Sequence, residues 1–155
     1  MKITQYKVVL DGNSHNALVK EREVKYNGES FTSPNTIVDM MNDVFQLNKM
    51  AEEYAYMLAF NTSMKPIAVF EISHGAGNYT IMNPREIYIR ALLCGAYGIV
   101  LLHNHPSGNL SRSDADARTT EEIKQVGKLI GIPLMDHIII GSNDFYSFKE
   151  KTVWE

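Results

Sequence analysis

The sequence predicts an α/β or α+β sandwich, in which one sheet carries helices packed against it. Short β-branched or alternating apolar runs recur along the chain, and amphipathic stretches with helical spacing separate them. A chain of 155 residues, 45% hydrophobic and 21% charged, can bury a core of its own and is too apolar to stay disordered. No repeat or low-complexity segment interrupts this pattern.

Ile3 to Leu10 and Ala17 to Tyr26 read as two strands of a hairpin, joined through the turn chemistry of Asp11-Gly12-Asn13-Ser14. Asn27 to Pro34 is polar and reads as a loop, so the expected organisation is an N-terminal hairpin appendage over residues 1–32 and a main domain over 33–155. Ser33 and Pro34 fit the N-cap and first position of a helix whose Ile37, Met40, Met41, Val44 and Phe45 share a face through about Leu47. Glu53 to Phe60 and Ile67 to Ile72 read as strands joined by the polar turn Asn61 to Pro66, and Gly75 to Asn78 reads as a loop. Asn83-Pro84-Arg85-Glu86 opens a second helix, with Ile87, Ala91 and Leu92 on one face.

Ile99-Val100-Leu101-Leu102 is a continuous apolar run, which predicts a buried strand with His103 at its end. Pro106 to Arg112 is irregular. A third helix runs from about Ser113 to Ile130 and stops at Gly131 with Pro133 beyond. Pro133 to Gly141 predicts a further strand, and Phe145 to Phe148 a last one.

The bulk numbers weigh against some classes without excluding a basic patch on one face. A net charge of −3 and a pI of about 5.9 lack the basic footprint of a nucleic-acid binder. One cysteine, Cys94, cannot form an internal disulfide; it sits in an apolar run and reads as a small buried hydrophobe. The N-terminus is too short and polar for a signal peptide, and no apolar run approaches a membrane span. The expectation is a soluble cytoplasmic protein.

The chemically informative segment is Leu101 to Ala117, LLHNHPSGNLSRSDADA. His103 and His105 are two apart, so in extended backbone both imidazoles point to one side and can converge on one ion. A carboxylate, Asp114 or Asp116, can fold back from the start of the third helix across the tight reversal that Pro106, Ser107 and Gly108 permit. Two imidazoles and a carboxylate suit a catalytic zinc that keeps a position for water. The same set serves a structural zinc or an oxygen-activating iron, and chemistry alone does not choose between them.

His103-x-His105-Pro106, six further residues, then Ser113-x-x-Asp116 resembles the motif of the JAMM (MPN-type) zinc metallopeptidases. HNHPSG with SxxD, followed by LIGIPLMDHIIIG and preceded by Asn83-Pro84-Arg85-Glu86, resembles the RadC-like JAB branch over roughly Glu53 to Trp154. The resemblance implies a JAB/MPN-like, cytidine-deaminase-like curved mixed sheet flanked by helices, with residues 33–155 as the zinc-binding domain. It implies one zinc ion per chain, held by His103, His105 and Asp116. It implies Ser113 as a hydrogen-bond donor to the developing oxyanion and Glu53 as general base. Glu52 is the rival base, because strand alternation sends one of the pair away from the metal. His137 reads as a structural hydrogen-bonding residue, with support of a zinc-bound imidazole as the alternative. His74 reads as a surface histidine, and His15 in its polar turn receives no role.

The implied activity is hydrolysis of a peptide or isopeptide bond in a peptide or protein substrate. The alternatives are a RadC-like factor of DNA repair acting on or near DNA, and a non-catalytic zinc-binding interaction module. Longer members of the branch carry what looks like a helix-hairpin-helix module before this domain. Here a short hairpin precedes it, which with the acidic balance lowers the expectation of direct DNA contact. A structural zinc site has no need of Glu53 or Ser113, and that weighs against the interaction module.

Overall fold

The computed structural model describes residues 1–28, 30–75 and 82–155. Seven strands form one mixed sheet in the order β2-β1-β4-β3-β5-β6-β7. In chain order these are β1 (Lys2–Leu10), β2 (Asn16–Lys25), β3 (Tyr54–Phe60), β4 (Pro66–His74), β5 (Gly98–Asn104), β6 (Leu134–Ile140) and β7 (Phe145–Ser147). The helices are α1 (Pro34–Phe45), α2 (Pro84–Leu93), α3 (Asp114–Ile130) and the short α4 (Phe148–Lys151). The sheet is antiparallel except where β1 meets β4 and β5 meets β6. Strands mixed with helices on both faces are the architecture the sequence predicts. Among the described residues no helix is long and apolar enough to cross a membrane.

The core explains why the middle strands read as unbroken apolar runs. Every residue of β5 is buried, as are six of the seven in β3, because helices cover both faces. On one face α1 lays Ile37, Met40, Met41 and Phe45 over Leu58, Val100, Leu102 and Ile138. On the other, α2 and α3 bring Ile87, Ala91 and Ile123 onto Met57, Phe70, Ile99 and Leu101. The N-terminal hairpin extends this same sheet, with β1 beside β4, and Ile3 enters the α1-side core.

Several element ends differ from the sequence reading. Helix α1 stops at Phe45 because Gln46 turns left-handed (φ 54°), and Leu47–Lys49 forms a separate 3-10 turn. Ser33 occupies the N-cap position, but its hydroxyl makes no cap hydrogen bond. Strand β5 continues two residues past the apolar run, so His103 lies within the ladder, opposite Ala55 of β3 and Ile139 of β6. Glu53 sits one residue before β3 rather than opening it. Phe148 starts α4 instead of ending a strand, because the Ser147 hydroxyl accepts the Glu150 amide and caps a helical turn. Cys94 is half-buried at the end of α2, and burial pushes its thiol up to about 11. The expected loop Gly75 to Asn78 falls outside the described residues beyond Gly75, as does Glu29 in the loop before α1.

Candidate metal centre

Strand β5 delivers the first two groups of the site. The His103 ring is buried, and its Nε2 lies 3.0 Å from Nε2 of His105. His105 is one residue past the strand, yet its amide still bonds the Ile140 carbonyl at 2.9 Å, which keeps the backbone extended and both rings on one side. The chain then reverses. The Gly108 amide closes a turn onto the His105 carbonyl at 2.9 Å, and Gly108 takes φ 77°, a conformation that favours glycine.

Helix α3 supplies the carboxylate through its own N-terminus. The Ser113 hydroxyl accepts the Asp116 amide at 3.0 Å, and Asp116 Oδ2 accepts the Ser113 amide at 2.9 Å, a reciprocal cap. The cap fixes the Asp116 carboxylate, whose Oδ1 is 3.5 Å from His103 Nε2 and whose Oδ2 is 3.7 Å from His105 Nε2. Asp114, left open by the spacing, is exposed and outside this cluster. Among the described residues, His103, His105 and Asp116 are the one group of three or more metal-ligating side chains whose ligand atoms all lie within 4.8 Å of one another.

The hydrogen bonds behind the two imidazoles decide where their protons sit. Thr120 Oγ1 lies 2.7 Å from the Asp116 carbonyl, which can only accept, so the threonine hydroxyl donates there. Facing His137 Nδ1 at 2.6 Å, the same oxygen must then accept, which places a proton on that nitrogen. The His137 ring is fully buried, and burial, reinforced by His103 and His105, holds its pKa well below the ordinary value, so it is neutral. Its Nε2 is therefore an acceptor, and His103 Nδ1 donates to it at 2.8 Å. Burial likewise lowers the pKa of His103, against the pull of Asp116. His103 Nε2 is left as a bare lone pair.

His105 reaches the same condition by a shorter route. Its Nδ1 donates to the Asn109 carbonyl at 2.6 Å, so in the neutral ring Nε2 is again a lone pair. Two lone pairs facing each other at 3.0 Å, beside a carboxylate, repel unless a proton or a metal cation lies between them. Bond lengths of 2.0–2.1 Å to a tetrahedral zinc would set ligand atoms about 3.3 Å apart. The observed 3.0, 3.5 and 3.7 Å fall on either side of that value. The donor set fits a divalent metal.

Glu53 and Glu52 part company here. Glu53 is buried, and its carboxyl is raised above the ordinary range by burial and by Asp116, with His105 acting the other way. It thus lies within electrostatic reach of the cluster. Glu52 points outward, its side chain 54% exposed, and pairs with His74, whose ring stacks on Tyr54. Ser113 is exposed, and among the described residues its hydroxyl hydrogen has no acceptor.

Two contributors escaped the sequence reading. Thr120 looks like an ordinary helix residue, yet it sets the tautomer chain above. Asn104, between the two histidines, points to the opposite side of β5, fully within the protein. Its Oδ1 accepts the Tyr54 amide at 2.7 Å and its Nδ2 donates to the Glu52 carbonyl at 2.9 Å. This clamp holds the backbone on both sides of Glu53, and the Gly75 amide holds the Glu53 carbonyl itself at 2.9 Å.

Known proteins share this arrangement of sequence. The model of the RadC-like JAB domain family matches residues 31–153. A UPF0758 protein of Alkaliphilus metalliredigens is 39% identical over 121 residues, covering 78% of this chain and 51% of that protein. One of Clostridium tetani is 40% identical over 108 residues, covering 70% and 47%. One of Pelobacter propionicus is 34% identical over 127 residues, covering 82% and 55%. The chain therefore spans about half the length of the curated relatives it matches.

Proposed function

The chain belongs to the RadC-like JAB domain family, and we propose that it is a zinc-dependent hydrolase of the JAMM type, cleaving a peptide or isopeptide bond. One observation carries the reading: two imidazole nitrogens, each stripped of its proton by a donor commitment behind it, meet at 3.0 Å beside the Asp116 carboxylate. His103, His105 and Asp116 would hold the metal. Three protein ligands leave a position for water, whereas a structural zinc takes four.

Zinc bound there supplies a water acidified toward a pKa of about 7 and polarises a substrate carbonyl. The protein's own groups do the rest. Glu53, with its carboxyl raised by burial, is suited to take a proton from that water and return it to the leaving amine. The spare hydroxyl hydrogen of Ser113 is suited to stabilise negative charge developing on the carbonyl oxygen. Asn104 keeps the Glu53 backbone in place.

Elemental analysis of the purified chain tests the site. One zinc per chain is expected, lost in His103→Ala and Asp116→Ala and kept in Asp114→Ala and Glu53→Gln. Glu53→Gln should then be inactive on any peptide substrate the parent cleaves. Iron in place of zinc, or no metal even after both are supplied, overturns the proposal.

A further inference from the structure

A cavity of about 380 Å³ opens at the other end of β5 from the His103 cluster, against Val100. Its size is that of a small-molecule pocket. Phe60, Val100, Leu134, Met135 and Trp154 give it an apolar floor, and Lys124, Lys128 and Lys149 add three cations.

Lys124 is the unusual member. It is only 9% exposed, its stem packed within the protein while the ammonium stays in reach of the cavity. Its Nζ lies 4.4 Å from the centre of the Trp154 ring and 3.7 Å from the outward-facing carboxylate of Glu121, and among the described residues it makes no hydrogen bond. Two acids, Asp136 and Glu155, also line the cavity, but neither makes an ion pair with Lys124. Both oxygens of Asp136 are taken, one by the Ser147 hydroxyl at 2.6 Å and the other by the amides of His137 and Lys149 at 2.7 and 3.0 Å. Glu155 is exposed. The first turn of α1 also borders the cavity, with no side-chain cap and no acidic residue to neutralise its positive end.

We propose that this cavity binds a small amphipathic anion, a monocarboxylate whose apolar body lies on Phe60, Val100, Leu134 and Trp154 and whose carboxylate meets Lys124. One cation beside an apolar floor matches one charge on an apolar body. Lys128 and Lys149, both exposed, draw the anion in from the rim. This site is separate from the metal ligands and does not depend on the hydrolase reading.

The test uses sodium octanoate as probe and 1-octanol as its uncharged counterpart. It follows the methyl signals of Met64 and Met135, both of which line the cavity, by nuclear magnetic resonance. Metal-free protein is used, so that the carboxylate cannot be held by a metal at His103, and binding must persist in His103→Ala. Saturable shifts of both methyls are expected, with octanoate bound about tenfold tighter than octanol, the scale of one charge-assisted hydrogen bond. Lys124→Met should erase that preference. Should that variant not fold, the exposed Lys149→Gln and Lys128→Gln variants should each weaken octanoate and leave octanol unchanged. No saturable shift, or octanol bound as tightly as octanoate, overturns the proposal. So do shifts that follow protein concentration alone, which would mean that a second copy fills the cavity.

Discussion

Replacing His137 with phenylalanine tests whether the metal site is preset by its proton arrangement. The His137 ring is fully buried and stacked on Phe148 at 4.8 Å, so phenylalanine preserves the packing and removes only the two ring nitrogens. Thr120 keeps its carbonyl acceptor. The loss falls on His103 Nδ1–H, which no longer has the acceptor it now meets at 2.8 Å. Leaving a buried donor unpaired costs about 1–3 kcal/mol. The metal-free protein has an escape: His103 can move its proton to Nε2 and donate to His105 Nε2, 3.0 Å away. That escape spends the metal-binding lone pair. The variant should therefore lose zinc affinity by about 10- to 100-fold, the range for removing a partner behind a metal ligand, or about 1.4–2.7 kcal/mol. Its metal-free stability should fall by less than that. Competition with a chromophoric chelator measures the first quantity, and urea denaturation with metal removed measures the second. His137→Gln, whose amide oxygen can still accept, should recover part of the affinity. If His137→Phe binds zinc within about threefold of the parent while metal-free stability drops by the full unpaired-donor cost, the proton argument is wrong and His137 is a packing residue.

Three further outcomes follow from the same geometry. Glu53 has a raised pKa in the fold, so the folded protein holds a proton that the unfolded chain releases first, and its stability falls as pH rises through that window. Glu53→Gln should then stabilise the metal-free protein near pH 7, by the order of 1 kcal/mol seen when a group kept for function is replaced. The gain should shrink as pH falls and vanish below about pH 3, where both states are protonated, and a thermal melt at each pH decides it. Ser113→Gly preserves most of the cap energy and loses the hydroxyl, whereas Ser113→Ala also costs about 1 kcal/mol of helix stability. Both should keep zinc and lose about 10²-fold in kcat on a cleaved substrate, and an unchanged rate in the glycine variant removes Ser113 from the chemistry. Asn104→Leu leaves the Tyr54 amide and Glu52 carbonyl unpaired and should destabilise the fold by about 2 kcal/mol, read from the urea midpoint; a loss under about 0.5 kcal/mol would mean that the clamp is not made in solution.

The fold was legible where one strand or helix carries its own reason. The apolar runs of β3 and β5 announce burial on both faces, and Gly131 ends α3 in the left-handed conformation its position suggests, φ 84°. The two histidines and Asp116 were legible because their approach rests on strand alternation and one helix start. Asn104 and Thr120 were not, because their roles depend on partners distant in sequence. Asn104 finds its partners 50 and 52 residues away, at and just before the start of β3, where no local pattern specifies them. Thr120 meets His137 across 17 residues and a strand crossover. His137 reads from the sequence as a structural hydrogen-bonding residue, with support of a zinc-bound imidazole as the alternative; the geometry makes it a hydrogen-bond acceptor for His103. The choice between Glu52 and Glu53 likewise needed the clamp, since their order in the sequence leaves open which side of the sheet each will face.

The end of β5 shows how one short segment can assemble the site. Residues 103 and 105 share a side because a strand alternates, and both present Nε2 to the same point. Residue 104 must face the other way. An apolar residue there would serve the core equally well, yet the position holds a buried asparagine whose two polar atoms are both spent on the backbone flanking Glu53. The same three residues thus set two distances: between the imidazoles directly, and between the imidazoles and the carboxyl through the β3 backbone. A shift of β5 against β3 by one residue would invert all three side chains at once. The register that places His103 opposite Ala55 is therefore held by the clamp as well as by the ladder, and the two imidazoles and the Glu53 carboxyl are positioned together.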